Sequence, residues 1–103
     1  MSLVQTIHFE IQGNFGLSDT IWHQFLEIVN QLNVNVLGTV KHNFPGGGLS
    51  GVVIIGESHA AVHTWPEYGK AWFELATCGD DSELGRFKLL ITKAFSLSTE
   101  SLE

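Results

Sequence analysis

At 103 residues, 44% of them hydrophobic and 16% charged, the chain is long enough for a single domain over residues 1–103 and too apolar for intrinsic disorder. Eleven acidic against five basic side chains give a net charge of −6, which argues against a nucleic-acid partner and is compatible with a small cationic ligand. Cys78 is the only cysteine, so an intrachain disulfide and a multi-cysteine zinc site are excluded and a reducing, cytoplasmic setting is expected; the longest apolar stretch, around Gly46–Gly56, is too short and too rich in glycine to span a membrane, and no signal peptide is read.

Taken in chain order, Val4–Ile11 alternates, with Ile7, Phe9 and Ile11 on one side and Thr6, His8 and Glu10 on the other, the period of a half-buried strand. Ser18 is placed to cap a helix whose Ile21, Trp22, Phe25, Leu26, Ile28, Val29 and Leu32 form one wide apolar stripe. Val34–Lys41 returns to strand, and Asn43–Gly48, with Pro45 and three consecutive glycines, predicts a flexible loop. Ser50–Gly56 and Ser58–Thr64 read as strands, Pro66 and Gly69 mark a turn, and Lys70–Cys78 alternates Ala71, Phe73 and Leu75 against Trp72, Glu74 and Ala76. Ser82 is placed to cap a last helix with Leu84, Phe87, Ile91, Ala94 and Phe95 on one stripe, ahead of a polar tail from Ser96 to Glu103. The order predicts an α+β two-layer sandwich, an antiparallel sheet with two helices packed on one face.

Within this frame, His59 and His63 stand four apart, metal-ligand spacing on a helix but about 13 Å on a strand, so no metal site is expected. Gly56-Glu57-Ser58-His59-Ala60 nearly matches the nucleophile elbow of serine hydrolases, yet β-branched residues and Pro66 follow where that motif needs a helix. Singly, Ser58 reads as a hydroxyl in a tight turn, His63 as a histidine hydrogen-bonded at a strand end, and Cys78 as a small buried hydrophobe. Together they put a serine, a histidine and a cysteine at strand ends around one glycine-flanked hairpin.

Glu57-Ser58-His59, His63-Thr64-Trp65-Pro66-Glu67-Tyr68-Gly69 and Thr77-Cys78-Gly79, at these offsets, form a string that resembles the bacterial and archaeal S-adenosylmethionine decarboxylase proenzymes. The match is strong from about Leu37 to Asp80 and looser beyond. The resemblance implies self-cleavage between Glu57 and Ser58: the serine oxygen attacks the preceding carbonyl, and elimination and hydrolysis convert Ser58 into a pyruvoyl group that forms a Schiff base with the substrate amine and accepts the electrons released with carbon dioxide. No metal is implied. By the same resemblance His63 moves the proton during processing, Ser50 assists processing, Cys78 is the proton donor in decarboxylation, Phe44 stacks on the adenine or faces the sulfonium of the substrate, and Glu67 holds the ribose hydroxyls. The product would be the aminopropyl donor for spermidine synthesis. A homodimer or larger assembly is implied, in keeping with a small body that carries little surface charge.

The sequence departs from the family pattern at Lys70, Trp72, Glu74 and Ala76, in the three glycines Gly46–Gly48, and at Gln5–His8, where a basic stretch is usual. These departures bear on the substrate. Two other readings stay open: the same pyruvoyl chemistry on ornithine or arginine, or an unprocessed, inactive homologue acting as a regulatory subunit.

Overall fold

The computed structural model describes residues 4–78 and 82–100. The alternating N-terminal segment forms β1 (Gln5–Gln12), and the apolar stripe forms α1 (Ser18–Gln31), which buries Ile21, Trp22, Phe25, Ile28 and Val29. β2 (Val36–Asn43), β3 (Leu49–Ile55), β4 (Ser58–Trp65) and β5 (Lys70–Thr77) follow, a short 3₁₀ turn at Pro66–Tyr68 joins the last two, and α2 spans Ser82–Glu100. The sheet order is β1-β5-β4-β3-β2, with every pairing antiparallel. Both helices lie on one face, α1 over β3 and β4 and α2 over β1 and β5, so the expected two-layer α+β sandwich is the observed one.

Several boundaries differ from the sequence reading for identifiable reasons. Ser18 is the first residue of α1 and does not cap it; its hydroxyl instead accepts a hydrogen bond from the Asn43 side-chain amide at 2.9 Å, tying the start of α1 to the end of β2. β2 begins two residues later than expected and runs on to Asn43, because pairing with β3 continues to the Asn43–Leu49 rung. What remains of the predicted flexible loop is a tight reversal: the Phe44 amide donates to the Gly48 carbonyl at 2.8 Å, and Gly46 and Gly47 adopt φ of 94° and 99°, which only glycine accepts without strain. α2 continues into the polar tail, where the Ser96 hydroxyl bonds back to the Thr92 carbonyl and satisfies itself inside the helix. Gly79 and Asp80, at the end of the family-like string, and residues 101–103 of the tail lie outside the described residues.

The helix-facing side of the sheet holds the core. Phe25 and Phe87 meet edge to face at 6.2 Å, Phe73 and Phe95 stack at 5.1 Å, and Val29, Val53, Val62 and Ile91 close the space between them. The other side carries no helix. Alternation presents on it Val40, Ser50, Val52, Ile54, His59, Ala61, His63, Trp72, Glu74 and Ala76, a mixed surface on which Val40 and Ile54 are exposed. No helix among the described residues is long and apolar enough to cross a membrane.

One contact sets how closely α1 approaches the sheet. Gly51 faces the helix layer, and a Cβ there would overlap the six-membered ring of Trp22, so the indole lies directly on the strand backbone. Gly51→Ala is therefore expected to destabilise the fold by about 1–3 kcal/mol through overpacking. Chemical denaturation checks this, and Trp22→Phe in the same chain should recover part of the loss.

Candidate active site

The turn between β3 and β4 is held to two residues, Gly56 and Glu57, because Ile55 pairs with Ser58 across it. The Gly56 amide donates to the Asn35 carbonyl at 3.0 Å, which pins the turn from outside. Glu57 then takes φ of 62°, the one left-handed non-glycine backbone among the described residues. An L side chain in that region carries strain of about 1–3 kcal/mol. The strain sits on the residue whose carbonyl begins the Glu57–Ser58 bond.

Ser58 follows with its Oγ buried and without a hydrogen-bond partner, the one such side-chain atom among the described residues. A buried hydroxyl left unpaired costs about 1–3 kcal/mol, so this hydroxyl is held in place by its neighbours and gains nothing from them in return. Cys78 stands across from the turn, since continuing the β4–β5 register past the His59–Ala76 pair sets it opposite Glu57. Its thiol donates to Glu57 Oε2 at 3.0 Å and lies 3.8 Å from the Glu57 carbonyl oxygen. The hydrogen bond to the Glu57 carboxylate holds the thiol pKa above its ordinary value, with desolvation and the Glu57 charge acting the same way. Cys78 is thus an exposed, protonated thiol and not the buried hydrophobe its residue type suggested.

A second pair borders the turn. His59 Nε2 and Glu74 Oε2 are 2.7 Å apart, joined diagonally across the β4–β5 ladder. This pair escaped sequence reasoning because residues fifteen apart meet only once the hairpin register is known.

The remaining predicted residues gather at the other end of β4. Ser50 and His63 are direct cross-strand partners, and Ser50 Oγ lies 2.8 Å from His63 Nδ1. A cavity of about 290 Å³ opens beside them, lined by Phe44, Ser50, Thr64, Trp65 and Glu67 among others. The glycine loop delivers Phe44 to it, and the 3₁₀ turn, closed by Gly69 at φ of 62°, delivers Glu67.

Ser58, His63 and Cys78 do lie at strand ends of one hairpin, as expected, but at opposite ends of it. Cys78 meets Glu57, the residue before Ser58, while Phe44, Ser50 and Glu67 line one cavity with His63 hydrogen-bonded to Ser50; the two groups are separated by five residues of extended strand, roughly 16 Å. Within one chain His63 does not reach Ser58. The same extension keeps His59 and His63 apart, and among the described residues no group of three or more metal-ligating side chains is found.

Residues 15–103 match the family model described as S-adenosylmethionine decarboxylase. Relatives named S-adenosylmethionine decarboxylase proenzyme include one from Pseudomonas aeruginosa, 48% identical over 60 residues, 58% of this chain and 38% of the relative. One from Archaeoglobus fulgidus is 41% identical over 65% of this chain and 61% of its own length, and one from Thermococcus gammatolerans is 40% identical over 81% and 64%. The chain thus spans between about two fifths and two thirds of these relatives. The crystal structure of the adenosylmethionine decarboxylase from Aquifex aeolicus superposes with a TM-score of 0.78 at 25% identity, covering 90% of this chain and 79% of that one.

The Glu57 carboxylate is the largest influence on the Cys78 thiol, and it raises the pKa. Glu57→Gln, made in a Ser58→Ala chain so that the turn stays intact, should lower the thiol pKa toward its ordinary value. More thiolate is then present at any mildly alkaline pH, and alkylation by iodoacetamide should become faster; an unchanged rate profile would show that Glu57 does not govern the thiol.

Proposed function

Because the chain belongs to the S-adenosylmethionine decarboxylase family, we propose that it is a self-processing decarboxylase of S-adenosylmethionine whose pyruvoyl cofactor is made from its own Ser58. The observation that carries this reading is the Glu57–Ser58 link, where a left-handed glutamate precedes a buried, unpartnered hydroxyl. Attack by Ser58 Oγ on the Glu57 carbonyl carbon forms an ester, breaks the peptide C–N bond and releases the backbone strain. That strain, about 1–3 kcal/mol, is small beside the roughly 7–11 kcal/mol available from holding nucleophile and carbonyl in place, so placement and not strain is the larger contribution to cleavage. A residue 58 so converted fits the site, since the hydroxyl it would lose makes no hydrogen bond.

The pyruvoyl group supplies an electron sink for the bond between substrate carbon and carboxylate. This chain's residues then divide the remaining work. Cys78, kept protonated by Glu57, is the acid beside residue 58 and returns a proton to the substrate carbon. Phe44 and Glu67 offer an aromatic face and a carboxylate to the adenine, sulfonium and ribose hydroxyls, and the acidic surface draws in a cationic substrate. Ser50 and His63, already hydrogen-bonded, form the proton-transfer pair for processing.

The separation along β4 supports a site built from two copies of the chain. An isologous homodimer that pairs the open sheet faces sets the Ser58 end of one β4 against the His63 end of the other, giving two composite sites. It also covers the exposed Val40 and Ile54. The product would feed spermidine synthesis as the aminopropyl donor, and the lone thiol suits a cytoplasmic setting.

Intact mass under denaturing conditions should show two fragments, residues 1–57 and a chain beginning at residue 58 that is blocked by a keto group; Ser58→Ala should stay whole. A parent chain that stays whole favours the regulatory reading. Cys78→Ala should still cleave while carbon dioxide release from S-adenosylmethionine falls about 100-fold or more; release from ornithine or arginine alone would reassign the substrate. For the composite site, unfolded Ser58→Ala and His63→Ala chains are refolded together. Cleavage of the His63→Ala chain is expected only in the mixture, and its absence there would refute sharing between copies.

A further inference from the structure

His63 sits between two indoles. Trp65, two residues along β4, stacks on its ring at 6.2 Å and 30°, while Trp72 is its direct cross-strand partner on β5, with ring centroids 5.6 Å apart at 41°. The far side of Trp72 meets His8 of β1 at 5.9 Å, so the indole is itself wedged between strands and half-buried. Ser50 engages Nδ1 of His63, and Nε2 has no partner among the described residues.

An imidazole on the helix-free face of a sheet is free to swing about χ1 and turn about χ2 unless something fills the space beside it. Each swing toward β5 would break the bond to Ser50. The indole of Trp72 occupies that space, and Ser50 closes the opposite side from β3. We propose that Trp72 is a positioning residue for His63, holding Nδ1 on Ser50 Oγ so that Nε2 is the nitrogen left to accept a proton. This deepens the reading of His63 as the proton acceptor in self-cleavage and rests on it. Trp72 touches none of the reacting atoms; it acts through the orientation and tautomer of one ring.

The test has two arms. In a full-length Ser58→Ala chain labelled with ¹⁵N-histidine, long-range ¹H–¹⁵N spectra should show a single His63 tautomer. Trp72→Leu should turn it into an averaged mixture, and Trp72→Phe should keep it single. With Ser58 present, intact mass over time should show self-cleavage slowed about tenfold or more by Trp72→Leu and largely restored by Trp72→Phe. The proposal is overturned if Trp72→Leu leaves both tautomer and cleavage at parental values. It is equally overturned if the Leu and Phe variants lose cleavage alike while the His63 signals stay unchanged, the mark of a packing role only. If His63→Ala cleaves at the parental rate while Trp72→Leu still mixes the tautomers, the proton-acceptor reading fails and the positioning stands. The spectral arm decides the positioning even for a chain that does not cleave.

Discussion

Strand β4 is held on both sides by antiparallel ladders, and their register decides which reactive side chains touch. Pairing with β3 sets Ser50 against His63; pairing with β5 sets Trp72 on the other side of His63, Glu74 diagonal to His59, and Cys78 opposite Glu57. A slip of one residue in either ladder would send the groups of the slipped strand to the wrong face. The register is fixed at its two ends by turns with little freedom, Gly56–Glu57 on one side and Pro66–Gly69 on the other.

The two faces of the sheet divide the work. One is closed by aromatic packing and by Trp22 lying against the bare backbone of Gly51, so its side chains are buried. The other keeps its histidines, carboxylates and indoles available. Along β4, Val62 and Thr64 look inward while His63 between them does not.

Element order, sheet class and helix stripes were legible in the sequence because apolar periodicity of two or 3.6 residues is a local property, visible in Ile7-Phe9-Ile11 or in Phe87-Ile91-Phe95. The helix start at Ser18 was less so, since Asn43, twenty-five residues away, claims the hydroxyl that a local rule assigned to capping. Among the site residues, types and offsets were legible but distances were not. A string of motifs says nothing of the roughly 16 Å of strand between Ser58 and His63 until both are placed on one β4. The His59–Glu74 pair and the two rings flanking His63 were invisible for the same reason, being products of register.

The place of the Glu57–Ser58 link in the weave of the sheet has a mechanical consequence. Segment 1–57 supplies β1, β2 and β3, and the part after it supplies β4 and β5, yet the spatial order is β1-β5-β4-β3-β2. A chain severed at that link would leave the later hairpin gripped on both flanks by strands of the earlier piece, like a tenon in a mortise. The pieces separate only by unzipping two ladders at once, so a covalent break there removes a tether that the fold does not need.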